Sequence, residues 1–80
     1  MGSKLYAGNL AFETTAEDLT SAFEDYGYVV ESALEKDKET DQSRGYGFVT
    51  MNSPQEAAAA ISGLNGQEFR GKTLVVKTAK

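Results

Sequence analysis

Arg44-Gly45-Tyr46-Gly47-Phe48-Val49-Thr50-Met51 is the stretch on which the reading of this chain turns. Side chains alternate between the two faces of a strand. A strand over Tyr46–Met51 therefore sends Val49 and Met51 to one side, and Tyr46, Phe48 and Thr50 to the other with Arg44 in line. The apolar pair needs a core. The opposite face keeps two large rings beside a cation, a set that points to a partner and not to solvent.

Downstream, Ser53-Pro54-Gln55-Glu56 reads as a helix start, with a cap residue, proline at N1 and glutamate at N3. Ala57, Ala60, Ile61 and Leu64 keep one helical face apolar, and Asn65-Gly66 closes the helix. Leu74-Val75-Val76-Lys77 is a last strand, with Leu74 and Val76 inward and Val75 and Lys77 outward. Upstream, Asp37 to Ser43 is a polar, exposed loop, and Tyr28 to Lys36 is a less regular strand. Before that strand, Thr14 and Thr15 offer N-caps, with Glu17 or Asp18 three residues on. Leu19, Ala22, Phe23 and Tyr26 follow on one helical face, which Gly27 ends. Lys4-Leu5-Tyr6-Ala7 is the first strand, stopped by Gly8-Asn9, with Leu5 and Ala7 inward and Tyr6 outward. The order β-α-β-β-α-β defines an α+β, ferredoxin-like sandwich: a four-stranded antiparallel sheet with two helices on one face. Tyr6, Tyr46, Phe48, Arg44 and Lys77 then share the face that no helix covers.

Composition narrows what such a face can serve. Eighty residues make one small domain, expected over 4–80, with 1–3 a flexible leader or an expression scar. The chain has no cysteine and no histidine, so disulfides, thiolate metal sites and the commonest general base are all missing. The expectation is a non-enzyme with no cofactor and no metal. Asp37-Lys38-Glu39-Thr40-Asp41 begins like a calcium loop, but Gln42 and Phe48 stand where glycine and glutamate are required. The longest apolar run, Ala57 to Ile61, is far too short to span a bilayer, and no secretory signal opens the chain. A soluble, intracellular module is expected, with no membrane partner. The net charge of −4 is unusual for a nucleic-acid partner, but it is divided. Met1 to Asp41 holds ten acids against three lysines, a balance of −7; Gln42 to Lys80 holds two acids against five cations, a balance of +3.

Leu5-Tyr6-Ala7-Gly8-Asn9-Leu10 resembles the hexamer motif of the RNA recognition motif family, and Arg44 to Met51 resembles its octamer, K/R-G-F/Y-G/A-F-V-x-F/Y. The resemblance spans Lys4 to Ala79 and includes Ile61-Ser62-Gly63-Leu64-Asn65-Gly66 at the second helix end. Glu39 to Arg44 is most similar to chloroplast ribonucleoproteins, with cyanobacterial RNA-binding proteins close behind. What the resemblance implies is a monomeric module for single-stranded RNA, or single-stranded DNA, serving RNA processing or stability. It also implies a chloroplast setting, although no transit peptide is present in this chain. Tyr6 and Phe48 would stack on successive bases and Tyr46 would meet sugars or a third base. Arg44 would hold a phosphate, and Lys77 with the backbone near Thr78 to Lys80 would meet base edges. Asn9 and Lys80 are carried over as further contacts. Gly45 and Gly47 would let the nucleic acid approach the backbone.

The departures from the family pattern carry their own expectations. Met51 replaces a core aromatic, and Ala7 and Ser32 are small at inward positions, so the core should be underfilled there. Glu31, Ala33 and Glu35 should lie on the open face of an edge strand, where carboxylates repel phosphate. Asp41 replaces a common glycine and should loosen its loop. Two other classes compete with RNA binding. A protein-interaction domain, or a redesigned scaffold without RNA function, could use the same fold. A small hydrolase of the acylphosphatase type would need an arginine in the first loop, and Gly8 to Thr14 has none.

Overall fold

Residues 3–79 are described by a computed structural model. Along them run β1 (Lys4–Gly8), α1 (Ala16–Glu24), β2 (Val29–Lys36), β3 (Ser43–Met51) and α2 (Pro54–Leu64). They are followed by β4 (Glu68–Phe69), β5 (Lys72–Thr73) and β6 (Val75–Thr78). Both helix starts are built as the sequence predicts. The Thr15 hydroxyl accepts from the Asp18 N–H at 3.1 Å, and the Asp18 carboxylate accepts from the Thr15 N–H at 3.0 Å, a complete capping box. At α2 the Ser53 hydroxyl accepts from the Glu56 N–H at 3.2 Å. The Glu56 carboxylate does not close a second box. Its oxygens accept from the Ser53 hydroxyl at 3.1 Å and from the Tyr28 N–H at 3.2 Å, the latter tying the start of α2 to the entry of β2.

The main sheet is antiparallel in the order β2-β3-β1-β6. Leu5, Ala7, Val49, Met51, Leu74 and Val76 are buried against Leu19, Phe23, Ala57 and Ala60 of the two helices. Phe23 is the largest of the fully buried side chains, and burying a ring of that size contributes about 1.5–3 kcal/mol. The β-α-β-β-α-β sandwich and its inward set are as the alternation requires. The ladder extends beyond Lys4, since the Ser3 carbonyl accepts from the Met51 N–H at 2.7 Å.

Four details differ from expectation, each for a local reason. The hairpin β4–β5 went unseen because two-residue strands are too short to show alternation. Its turn is nevertheless well encoded: Arg70 (φ 53°) and Gly71 (φ 84°) are the consecutive left-handed pair that tight hairpins require. Ser32 is no gap in the core. Its hydroxyl is 2.6 Å from that of Thr20 and lies 3.4 Å from the Ala16 carbonyl, so it anchors α1 to β2 by polar contact. The β2–β3 loop is tight despite Asp41, which adopts φ 61° and donates its N–H to the Asp37 carbonyl at 2.8 Å. Aspartate tolerates that conformation better than most side chains. Gly47, finally, is buried on the helix side, where a Cβ would come within 2.5 Å of the Ala33 carbonyl. It is glycine so that β2 can pair closely with β3, not so that a ligand can approach.

Candidate nucleic-acid interface

The register of the ladders turns the uncovered face into a grid. One row across the strands reads Lys77, Tyr6, Phe48 and Ala33. On one side of it lies the row Lys4, Thr50 and Glu31; on the other lies Val75, Gly8 and Tyr46. Tyr6 and Tyr46 are stacked with ring centroids 5.8 Å apart and planes at 29°. Phe48 meets both edge-on at 6.0 Å. Such pairs stabilise one another modestly and keep the rings at fixed angles. Gly8 makes room for this arrangement: a Cβ there would fall 2.6 Å from the Cζ of Tyr6, whose ring lies along its own strand.

Two ammonium groups sit on the rings. Lys4 Nζ lies 5.1 Å from the Phe48 centroid and Lys77 Nζ 5.2 Å from that of Tyr6. Both are cation–π distances. The faces of Tyr6 and Phe48 are thus met by lysine ammonium groups and not by the protein core. A flat π system can displace an ammonium and send it to a nearby anion.

Tyr6, Tyr46, Phe48 and Lys77 are brought together as the sequence predicts. Arg44 is exposed at the start of β3, and it forms no ion pair among the described residues. Asp37, its predicted competitor, is held below the ordinary carboxylate range first by accepting the Glu39 and Thr40 N–H groups; burial opposes the shift and the Arg44 charge adds to it. Asn9 is drawn away from the face: at φ 59° its side-chain amide donates to the Thr73 carbonyl at 2.7 Å, fastening the end of β1 to β5. Lys80 lies outside the described residues, as do Met1 and Gly2. Lys4 is the cation that sequence reasoning underrated, although it stands two residues before Tyr6 and alternation alone puts it on the same face. Phe12 was also passed over. It is 78% exposed in the β1–α1 loop, where no periodicity speaks for it.

The described residues contain no cluster of acids that could hold a metal, and no helix long and apolar enough to cross a membrane. Fold and face together define a ferredoxin-like domain whose open sheet is an aromatic platform edged with cations. Known proteins place it more closely. The family model described as RNA recognition motif matches residues 5–75, and the chain belongs to that family. RbpA, a putative RNA-binding protein of a Nostoc species, is 47% identical over 95% of this chain and 74% of its own length. Small RNA-binding protein 11, chloroplastic, of Arabidopsis thaliana is 44% identical, covering all of this chain and 55% of the relative. Glycine-rich RNA-binding protein 1 of Mycosarcoma maydis is 46% identical, and this chain spans 45% of it. Among solved structures, RNA binding protein PG1 superposes with a TM-score of 0.94 at 43% identity, over 96% of this chain and 93% of that one. A Sxl-lethal protein–RNA complex gives 0.92 at 36% identity, over 98% and 48%.

Proposed function

We propose that this domain binds single-stranded RNA by stacking bases on Tyr6 and Phe48, with Tyr46 against a sugar or a third base. The observation that carries the reading is the mutually packed trio of rings on the uncovered face, with two lysine ammonium groups resting on them. Base stacking on aromatic side chains contributes about 1–3 kcal/mol per base, enough for useful affinity from a site of two or three nucleotides. Lys4 and Lys77 leave the rings as bases arrive and pair with phosphates, while Arg44 holds a phosphate beyond Tyr46. Relatives bearing the name RNA-binding protein and a neighbour solved with RNA support this use of the face. A protein-binding or scaffold role has no comparable support.

The module works without catalysis, as a monomer, and accepts single-stranded DNA more weakly, since stacking does not require the 2′-hydroxyl. The chloroplast setting rests on the plant relative's name and on the Glu39–Arg44 resemblance, and a role in RNA processing or stability on membership of the family. The decisive experiment is an NMR titration with a short randomised RNA pool. Tyr6, Tyr46 and Phe48 ring signals should shift together with those of Lys4 and Lys77. Shifts confined to the helices would refute the platform.

A further inference from the structure

Asn65-Gly66, where α2 gives way to β4, pairs a side-chain amide with a backbone nitrogen that no following Cβ shields. An asparagine in that setting reacts readily with its own main chain. The fold needs both residues for other reasons. Gly66 turns the chain at φ 87°, a conformation that favours glycine although a Cβ there would meet nothing. Asn65 is the C-cap of α2, and its Oδ1 accepts from the Val76 N–H at 3.0 Å. Val76 pairs with Ala7, and β6 is the last strand in the order of the main sheet. The Asn65 amide therefore occupies a donor on the outer edge of β6, which would otherwise face solvent.

The same contacts hold the reactive groups apart. Deamidation begins when the Gly66 nitrogen loses its proton and attacks Asn65 Cγ. In the folded domain the Gly66 N–H donates to the Leu74 carbonyl at 2.8 Å, and the Leu74 N–H donates back to the Gln67 carbonyl at 2.8 Å. The Val76 N–H fixes the side-chain amide from the other side. At ψ 125° the Asn65 Cβ is turned well away from the Gly66 nitrogen, whereas ring closure requires the two to be eclipsed. Reaction needs aligned atoms at contact distance, so the docked segment is unreactive. Both residues are nevertheless exposed, and a few hydrogen bonds are all that close the segment on β6. Local opening of this kind needs less free energy than global unfolding.

We propose that Asn65 is a spontaneous modification site gated by the docking of the α2–β4 connection on β6. In the opened segment the Gly66 nitrogen bonds to Asn65 Cγ, the bond from Cγ to the amide nitrogen breaks, and ammonia leaves with the proton that Gly66 lost. Water then opens the resulting succinimide. Attack at Cγ gives aspartate; attack at the main-chain carbonyl carbon gives isoaspartate, whose main chain is longer by a methylene. The two products differ in consequence. Aspartate keeps the main-chain spacing and an oxygen for the Val76 N–H. Isoaspartate displaces Gly66 from Leu74, so the segment no longer closes on β6 as before. The modification records an opening and preserves it.

The test is incubation of the intact domain in warm, mildly alkaline buffer with and without denaturing urea, read by peptide mapping and by isoaspartate-specific enzymatic methylation. In urea, Asn65 should convert faster than the chain's other asparagines, with isoaspartate among the products. The folded domain should convert about tenfold or more slowly, in proportion to its opened fraction. Phe23→Ala raises that fraction and should convert faster than the parent in the same buffer without urea. The separated isoaspartyl protein should melt roughly 4–8 °C below the parent, the shift for about one net hydrogen bond in a domain of this size. Asn65→Asp should melt near the parent. Equal rates with and without urea would overturn the gate, and an Asn65 that does not convert in urea would overturn the site. An isoaspartyl form that melts with the parent, or an Asn65→Asp variant that melts as low as the isoaspartyl form, would overturn the effect assigned to the longer main chain.

Discussion

The two faces of this sheet are built from the same strands, one residue out of phase, and they hold their aromatic and apolar residues in opposite ways. Leu5 and Val49 are fully buried against the helices, whereas Tyr6 and Phe48, their immediate neighbours in sequence, lie half-buried on the other face, packed on each other and on Tyr46 with two ammonium groups over them. The covered face gains its free energy when the chain folds. The open face keeps its rings at the surface once folding is complete, half-buried by one another and by the two lysines. Residue parity thus divides stability from binding, and substitutions on the two faces should move different observables.

The largest effect belongs to the covered face. Phe23→Ala should cost about 3–5 kcal/mol of stability through the cavity it leaves, read by urea denaturation. RNA affinity per folded molecule should stay at the parent value. Its counterpart, Phe48→Ala, should weaken RNA binding by about 1–3 kcal/mol while the melting transition stays cooperative. Unfolding of the Phe48 variant, or unchanged affinity, would erase the distinction between the faces.

That division was legible because period-2 alternation is a local property, and one octet sufficed to assign Val49 inward and Phe48 outward. The helix starts were legible for the same reason, as capping depends on residues three apart. What escaped were features set by contacts distant in sequence. Nothing near Asn9 announces that its amide fastens to Thr73, sixty-four residues on. Ser32 looked like a deficit because its partner, Thr20, is brought to it only by the packing of α1 on β2. Gly47 was credited to a ligand although the Ala33 carbonyl of the adjoining strand is what excludes a side chain. In each case the neighbour that explains the residue lay on another element.

A smaller effect sharpens how the open face divides its own affinity between stacking and charge. Arg44, Lys4 and Lys77 are the cations that the strands of the described residues present there. Single-stranded binding loses about 0.7 log units of affinity per log unit of salt for each phosphate neutralised, so a slope on the order of −1 to −2 is expected. Arg44→Ala should flatten that slope by about 0.7 across a salt series with one short RNA. A parent slope steeper than about −4 would mean that phosphate contacts outweigh the rings.

The smallest effect lies at the edge of the covered side, where Asp18 caps α1. Its carboxylate is held below the ordinary value first by accepting the Thr15 N–H; burial pushes the other way, and the Arg70 guanidinium, 3.1 Å away, lowers it further. A carboxylate whose folded value is depressed binds fewer protons in the native state than in the unfolded chain near that value. Its contribution is therefore fully present above the unfolded value of about 3.9 and fades as pH falls through the lower native one. A carbon-detected NMR titration should show Asp18 changing charge below the ordinary carboxylate range, with the Thr15 amide proton following the same curve. Asp18→Asn should melt below the parent at neutral pH, and the two should converge in strong acid. Arg70→Ala distinguishes the causes. Because the Thr15 N–H persists in that variant, Asp18 should rise only part of the way toward its ordinary value. A complete return to that value would make the cross-element ion pair, and not the capping box, what holds the carboxylate ionised at the start of α1.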